Sequence, residues 1–287
     1  MNKYLKIILI LIALIVISRF ANFFSASYLD SQFERDSSGF ILETRPYHIE
    51  AGENAILLIH GFSASPFTTH YLDNTFLKQN VTIHAISIPG HGSSLFDLNE
   101  LNRTDWILHA DKAYKELKKN YSKVYILGYS LGGDLALNVA SRNDVDKLIV
   151  MNAPIRYEIR NADLFLPFLR VIEGYHTKGF FPGSESKDIA DMYVDLKLYR
   201  AVPVKSMMEV VTLSKETREV ISNISAPSLI IQSEKDTLVD PYSSVFIFSR
   251  INNPDKKIVL LSESSHINFS KKDQDIALNE IGKFIKN

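Results

Sequence analysis

The 287-residue sequence contains no cysteine. That excludes disulfides, a thiol nucleophile and thiolate metal sites, and it leaves the compartment open. A surplus of charge is missing too: 32 Lys and Arg stand against 33 Asp and Glu, for a formal net charge of −1. No basic excess therefore points to nucleic acid, and no acidic tail points to disorder. Metal-ligand spacing is absent: no histidine pair sits at i, i+4 beside an acid, and there is no HExxH. No metal and no cofactor is expected. Internal repeats and low-complexity tracts are also lacking. What remains is an ordinary globular composition, 46% apolar, long enough for one large domain or a domain with an insert.

One long hydrophobic run is present. Lys3 and Lys6 precede an unbroken apolar stretch over residues 7–17. Taken alone, it has the length of a signal-peptide core. Extended over residues 4–24, with Arg19 reaching back to the headgroups and Ser18 and Asn22 tolerated, it is long enough to cross a membrane. The extended reading gives an uncleaved single-pass anchor, with the lysines inside and the remaining chain extracytoplasmic. The shorter one gives a secreted protein cleaved near Ser25-Ala26-Ser27. Arg19 closes the apolar core and no A-x-A site follows it, which favours the anchor. A buried helix of a soluble domain is a third reading, against which the missing polar stripe counts. Residues 28–38 are polar and read as a linker.

From Gly39 onward, short β-rich runs alternate with helical patterns. Strands are expected at residues 55–60 (AILLIH), 81–88 (VTIHAISI), 124–129 (VYILGY), 148–151 (LIVM), 228–232 (SLIIQ) and 257–261 (KIVLL). Apolar runs this continuous suit a sheet covered on both faces. Helices are expected from Thr104 as cap to about Asn120, with Trp106, Ala110, Ala113 and Leu117 on one face, and over residues 131–141 and 273–286. The alternation predicts an α/β fold with a mostly parallel sheet. Residues 154–204 break the rhythm. They show no clear strand and carry scattered Gly and Pro, and they read as a helical cap inserted between sheet strands. The expected organisation is a hydrophobic segment over 1–27, core over 28–153, cap over 154–204 and core over 205–287.

The chemistry-bearing signal is Gly128-Tyr129-Ser130-Leu131-Gly132, with Gly133 following, between a predicted strand and a predicted helix. That context is what a G-x-S-x-G nucleophile elbow requires. A serine at so tight a turn leaves no room for Cβ atoms at the flanking positions. The following helix aims its free N–H groups where negative charge would develop. A serine hydroxyl needs a base oriented by an acid, and the elbow predicts the order Ser, acid, His. Asp236 follows SLIIQ and His266 follows KIVLL. Both lie just past the carboxyl ends of their strands, where open α/β sheets bind ligands. Glu234 and Asp240 are rival acids, read as solvated loop charges. His60 and His91 precede Asp236, do not fit the order, and are read as holding loop backbone.

These motifs resemble the α/β-hydrolase superfamily, within it the carboxylesterase and monoacylglycerol lipase group. The resemblance runs from about Ile56 to the C-terminus. It rests on LLIHGF at 57–62, PGHG at 89–92, GYSLGG at 128–133, the SEKDTLV acid loop and the terminal Ser-Ser-His. It implies Ser130 as nucleophile, His266 as base and Asp236 as its orienting acid, with the Phe62 and Leu131 N–H groups as oxyanion donors. The hydrophobic N-terminal segment is no part of the shared pattern. Phe165, Phe168, Phe180 and Phe181 in the cap are candidates for an apolar acyl pocket or for the cap's own small core. The expected activity is hydrolysis of carboxylic esters, lipidic or acylglycerol esters foremost, by a protein held at the membrane through its N-terminal segment. The alternatives are another serine α/β-hydrolase (peptidase, C–C hydrolase, acyltransferase) or a non-catalytic ligand-binding protein on this scaffold. Asp-nucleophile chemistry is excluded by Ser130.

Overall fold

A computed structural model describes residues 2–157, 162–178 and 187–286. The chain opens with α1 (Lys3–Ser31), a helix of 29 residues. Strands and helices then alternate: β1 (Tyr47–Ile49), β2 (Asn54–Ile59), α2 (Asp73–Leu77), β3 (Val81–Ile86), α3 (Leu95–Glu100), α4 (Arg103–Asn120), β4 (Lys123–Tyr129), α5 (Leu131–Ala140) and β5 (Lys147–Met151). Next come α6 (Ala162–Ile172), β6 (Tyr175–Thr177), α7 (Lys187–Asp195) and β7 (Ala201–Pro203). The chain closes with α8 (Val204–Val220), β8 (Ser228–Ser233), α9 (Tyr242–Arg250), β9 (Lys256–Leu261) and α10 (Lys271–Lys286).

Seven strands form one sheet in the order β1-β3-β2-β4-β5-β8-β9. Every pairing is parallel except β1 against β3. The apolar runs are continuous because both faces are covered. Along β2, Ala55, Leu57 and Ile59 pack with Trp106 of α4, Leu135 of α5 and Leu213 of α8. The alternate residues Ile56 and Leu58 pack with Phe76 of α2 and Ile281 of α10. After β2 the chain moves outward to β3, then returns to the opposite side of β2 as β4. That reversal opens a crevice beyond the carboxyl ends of β2 and β4, the place where doubly wound sheets take ligands.

Four local expectations are revised. The cap of α4 is Asn102, not Thr104: Asn102 Oδ1 accepts from the Thr104 N–H at 2.8 Å, and the Asn102 N–H donates back to Asp105 Oδ2 at 2.9 Å. This reciprocal box satisfies two otherwise orphaned donors, so it outcompetes a start two residues later. The stretch 28–38 is not a free linker. Helix α1 continues through it to Ser31, and buried Asp30 pairs with Arg35 at 2.8 Å. Residues 154–204 do contain strand, since β6 and β7 pair antiparallel, Tyr175 opposite Pro203. Strand β1 was not foreseen either. Its three residues are too few for alternation to register.

Candidate active site

The elbow sits between β4 and α5. Ser130 adopts φ 54° and ψ −122°, a left-handed conformation that side chains other than glycine's rarely take. The neighbouring glycines make this turn possible. A Cβ on Gly128 would stand 2.0 Å from the Gly132 carbonyl oxygen, and one on Gly132 would stand 2.1 Å from the Ile59 oxygen. The Ser130 N–H donates to the Met151 oxygen at 2.8 Å, which ties the turn to the end of β5.

From this turn the side chains form a hydrogen-bonded row. Ser130 Oγ lies 2.9 Å from His266 Nε2, and His266 Nδ1 lies 2.6 Å from Asp236 Oδ2. All three residues are buried, with 8%, 8% and 4% of their surfaces exposed for Ser130, His266 and Asp236. The other Asp236 oxygen, Oδ1, accepts from the Leu238 and Val239 N–H groups at 2.9 and 2.8 Å. Both oxygens of the carboxylate are thereby fixed. The rival acids lie elsewhere. Glu234 is exposed, and Asp240 pairs with Arg156 at 3.1 Å.

Three residues that sequence reasoning missed position this row. Tyr129 Oη donates to the backbone carbonyl of His266, and burial pushes its phenol pKa far up, so it stays a neutral donor. Asn152, at φ 47° just past β5, accepts from the Ser233 N–H at 2.8 Å and donates to Ser233 Oγ at 3.1 Å. It braces the strand end that precedes Asp236. Asp273 of α10 accepts three hydrogen bonds at 2.8 Å, from the Glu263 N–H, the Ser264 N–H and Ser264 Oγ, and so pins the loop carrying His266. Tyr129 sits inside the elbow motif at a position that accepts any residue, and Asn152 and Asp273 belong to no motif. Only its place just past a strand end singles out Asn152.

His60 and His91 hold loop backbone. The Ile88 N–H donates to His60 Nε2 at 3.0 Å, so the proton sits on Nδ1, which donates to the Gly61 oxygen at 2.8 Å. Burial drives the His60 pKa well down, and it stays a neutral bridge from β3 to the loop after β2. That loop carries Phe62, whose ring meets His91 at 5.7 Å and Trp106 at 6.4 Å. His91 is also buried, its pKa pushed down to about 4, and its Nδ1 donates to the Pro89 oxygen at 3.3 Å. Among the described residues, neither the Phe62 nor the Leu131 backbone N–H donates to an acceptor within the protein.

A cavity of about 920 Å³ opens over the row. Ser130, His266, Phe62 and Tyr129 line its floor. Leu166, Leu169, Val202, Met207, Val210, Val211 and Leu238 line its apolar walls. Thr68, His176, Lys178, Asp191 and Asp195 bring polar groups to it, with Lys178 Nζ donating to Ser63 Oγ beside Phe62. Phe165 reaches the cavity. Phe168 does not line it and is 63% exposed on the outer side of α6. Phe180 and Phe181 lie outside the described residues.

Comparisons with known proteins agree with this fold. The family model described as "Serine aminopeptidase, S33" matches residues 51–273. A thermostable monoacylglycerol lipase from Bacillus sp. (strain H-257) is 26% identical over 243 residues, covering 83% of this chain and 93% of that protein. A carboxylesterase from Bacillus subtilis (strain 168) is 22% identical over 247 residues, covering 86% and 98%. A solved structure reported with the metagenome-derived lipolytic enzymes LipS and LipT has a TM-score of 0.74 at 21% identity, covering 86% of this chain and 100% of that one. At that identity the structural likeness speaks for the fold. With the match spanning the parallel strands of the sheet, the elbow and the acid and histidine loops, the chain belongs to the serine aminopeptidase S33 family and is an α/β-hydrolase of the esterase and lipase type.

Proposed function

We propose that this protein is a serine esterase that cleaves lipidic carboxylic esters, acylglycerols foremost, through an acyl-enzyme on Ser130. The observation that carries the reading is the row Asp236–His266–Ser130 beneath an apolar cavity. His266 Nε2 accepts the Ser130 proton as Oγ attacks the ester carbonyl carbon. The Phe62 and Leu131 N–H groups receive the oxyanion, and each such donor lowers the barrier by about 3–4 kcal/mol. His266 then protonates the departing alcohol. Water, deprotonated by the same nitrogen, attacks the acyl-enzyme and releases the acid. Asp236 keeps the Nδ1 proton in place and stabilises the imidazolium that forms in both steps. Residues 28–153 and 205–287 form the hydrolase body in this reading, and residues 154–204 form a cap whose apolar side chains receive the acyl chain.

The N-terminal segment, residues 1–27, acts as a retained single-pass anchor with the hydrolase on the extracytoplasmic side. Support comes from its mean hydropathy of 2.5 over an 18-residue window, none of which is buried in the protein, and from Lys3 and Lys6 at its start. The relatives named as a monoacylglycerol lipase and a carboxylesterase support the substrate class. A fluorophosphonate probe should label Ser130, and hydrolysis of p-nitrophenyl esters and monoacylglycerols should rise with chain length beyond acetate. Activity confined to acetate would count against a lipidic substrate. A second reading, cleavage next to a free amino terminus, draws on the family description and on the carboxylates Asp191 and Asp195 in the cavity lining. Turnover of aminoacyl anilides above that of esters would favour it.

A further inference from the structure

Helix α1 is more than a tether. Its outer half is built into the body. Arg19 Nη1 donates to the Arg170 oxygen at 2.7 Å and the Val171 oxygen at 3.4 Å, satisfying carbonyls left open in the last turn of α6. Asn22 Oδ1 accepts from the Tyr175 N–H of β6 at 2.7 Å. The Phe23 ring meets Phe96 at 5.5 Å and Tyr175 at 6.2 Å, and Ala26 is wholly buried. Asp30 Oδ1 accepts from the Leu95 N–H at the start of α3. Cleavage near Ser25-Ala26-Ser27 would strip α6 and β6 of these partners, so the contacts fit a retained helix. By contrast, residues 3–14 of the same helix make no buried contact, and at 1.5 Å per residue residues 3–18 span about 24 Å, most of a bilayer core.

The clasp on α6 falls where the apolar part of α1 ends. Helix α6 turns Leu164, Phe165, Phe168 and Val171 outward, each more than half exposed, although Phe165 also lines the cavity. A surface helix in water buries its apolar side chains, and four large ones left bare on one short helix form a patch that needs a cover. We propose that α1 is a strut: through Arg19 it holds the outward apolar side chains of α6 in the same bilayer that α1 crosses. The cavity wall at Phe165 then meets lipid, and the substrate passes from the bilayer to Ser130 without crossing water. The proposal rests on the anchor reading above, and the test separates the two.

The absence of cysteine makes the test direct. Single cysteines are introduced into the full chain as Ile10→Cys, Phe168→Cys and Lys257→Cys, labelled with an environment-sensitive fluorophore, and reconstituted in phosphatidylcholine and phosphatidylglycerol vesicles. Brominated lipids should quench positions 10 and 168, whereas aqueous iodide should quench position 257. Lipid quenching at 10 with iodide quenching at 168 overturns the strut while leaving the anchor intact. Iodide quenching at 10 overturns both. Protection of 168 that depends on protein concentration and not on bromolipid assigns the patch to a second copy of the chain and also overturns the proposal. Adding Arg19→Ala to Phe168→Cys should weaken bromolipid quenching at 168 severalfold and leave soluble-ester turnover in place. Unchanged quenching there overturns the strut, since Arg19 would then not hold α6 in the bilayer.

Discussion

Asp236 Oδ2 stands 2.6 Å from His266 Nδ1, while Asp236 Oδ1 is held by two backbone N–H groups. This division of labour between the two oxygens has a chemical consequence. In Asp236→Asn, the oxygen is retained by the Leu238 and Val239 N–H groups, so the amide NH₂ must face His266. The imidazole then carries its proton on Nε2 and cannot accept one from Ser130. Turnover should fall about 10⁴-fold with little loss of stability. Pre-steady-state acylation kinetics measure this, and a rate within tenfold of the parent would contradict the assigned role of Asp236.

The elbow allows no side chain at Gly132, where a Cβ would stand 2.1 Å from the Ile59 oxygen and 2.5 Å from the His60 oxygen. Both are backbone atoms of the sheet edge and the loop beside Phe62. Gly132→Ala should therefore cost about 3 kcal/mol or more, or prevent folding. Thermal unfolding in detergent reads the cost. A melting temperature equal to the parent's would mean that the turn has slack the contacts do not show.

Buried His91 gives stability a pH dependence of defined sign. Its pKa is pushed down to about 4 by burial, so the folded protein keeps it neutral while the unfolded chain protonates it below about 6.5. The unfolded state binds the extra proton, and stability falls as pH drops from about 6.5 to 4, by up to about 3 kcal/mol. Above pH 6.5 this contribution is complete and flat. Urea unfolding between pH 7.5 and 4.5 should show a shallower decline in His91→Asn than in the parent. Parallel curves would remove His91 as a source.

Asp273 acts on His266 at a distance, through the loop at Glu263 and Ser264. Asp273→Ala leaves three donors without their acceptor and should cost about 2–4 kcal/mol. With the loop loosened, kcat should fall while KM for a soluble ester holds. Steady-state kinetics at a temperature well below unfolding separate the two effects. Unaltered kcat alongside the lower stability would make Asp273 structural only.

Much of this site was legible in the sequence because strand ends are easy to read. Six β-runs were continuous and apolar, and the residues just past three of them, Ser130, Asp236 and His266, converge along one edge of the sheet. What stayed hidden depends on contacts between distant segments. Asn152, Tyr129 and Asp273 act through backbone groups, which leave no residue pattern. The three-residue strands β1, β6 and β7 fall below the length at which alternation shows. Phe165 and Phe168 looked equivalent in sequence. Both lie on the outward side of α6, three residues apart, and only Phe165 also reaches the cavity rim. The docking of α1 draws on Arg19, which in the sequence reads as the end of an apolar run or as reaching back to headgroups and which instead donates to the α6 carbonyls.

The proposed hydrolysis depends on the hydroxyl of Ser130. Ester hydrolysis by full-length protein in detergent is compared with that of Ser130→Ala, after matched circular dichroism shows both folded. The prediction is a loss of at least about 10⁴-fold in kcat, with only background rate remaining. Hydrolysis by the alanine variant at the parent's rate would contradict it.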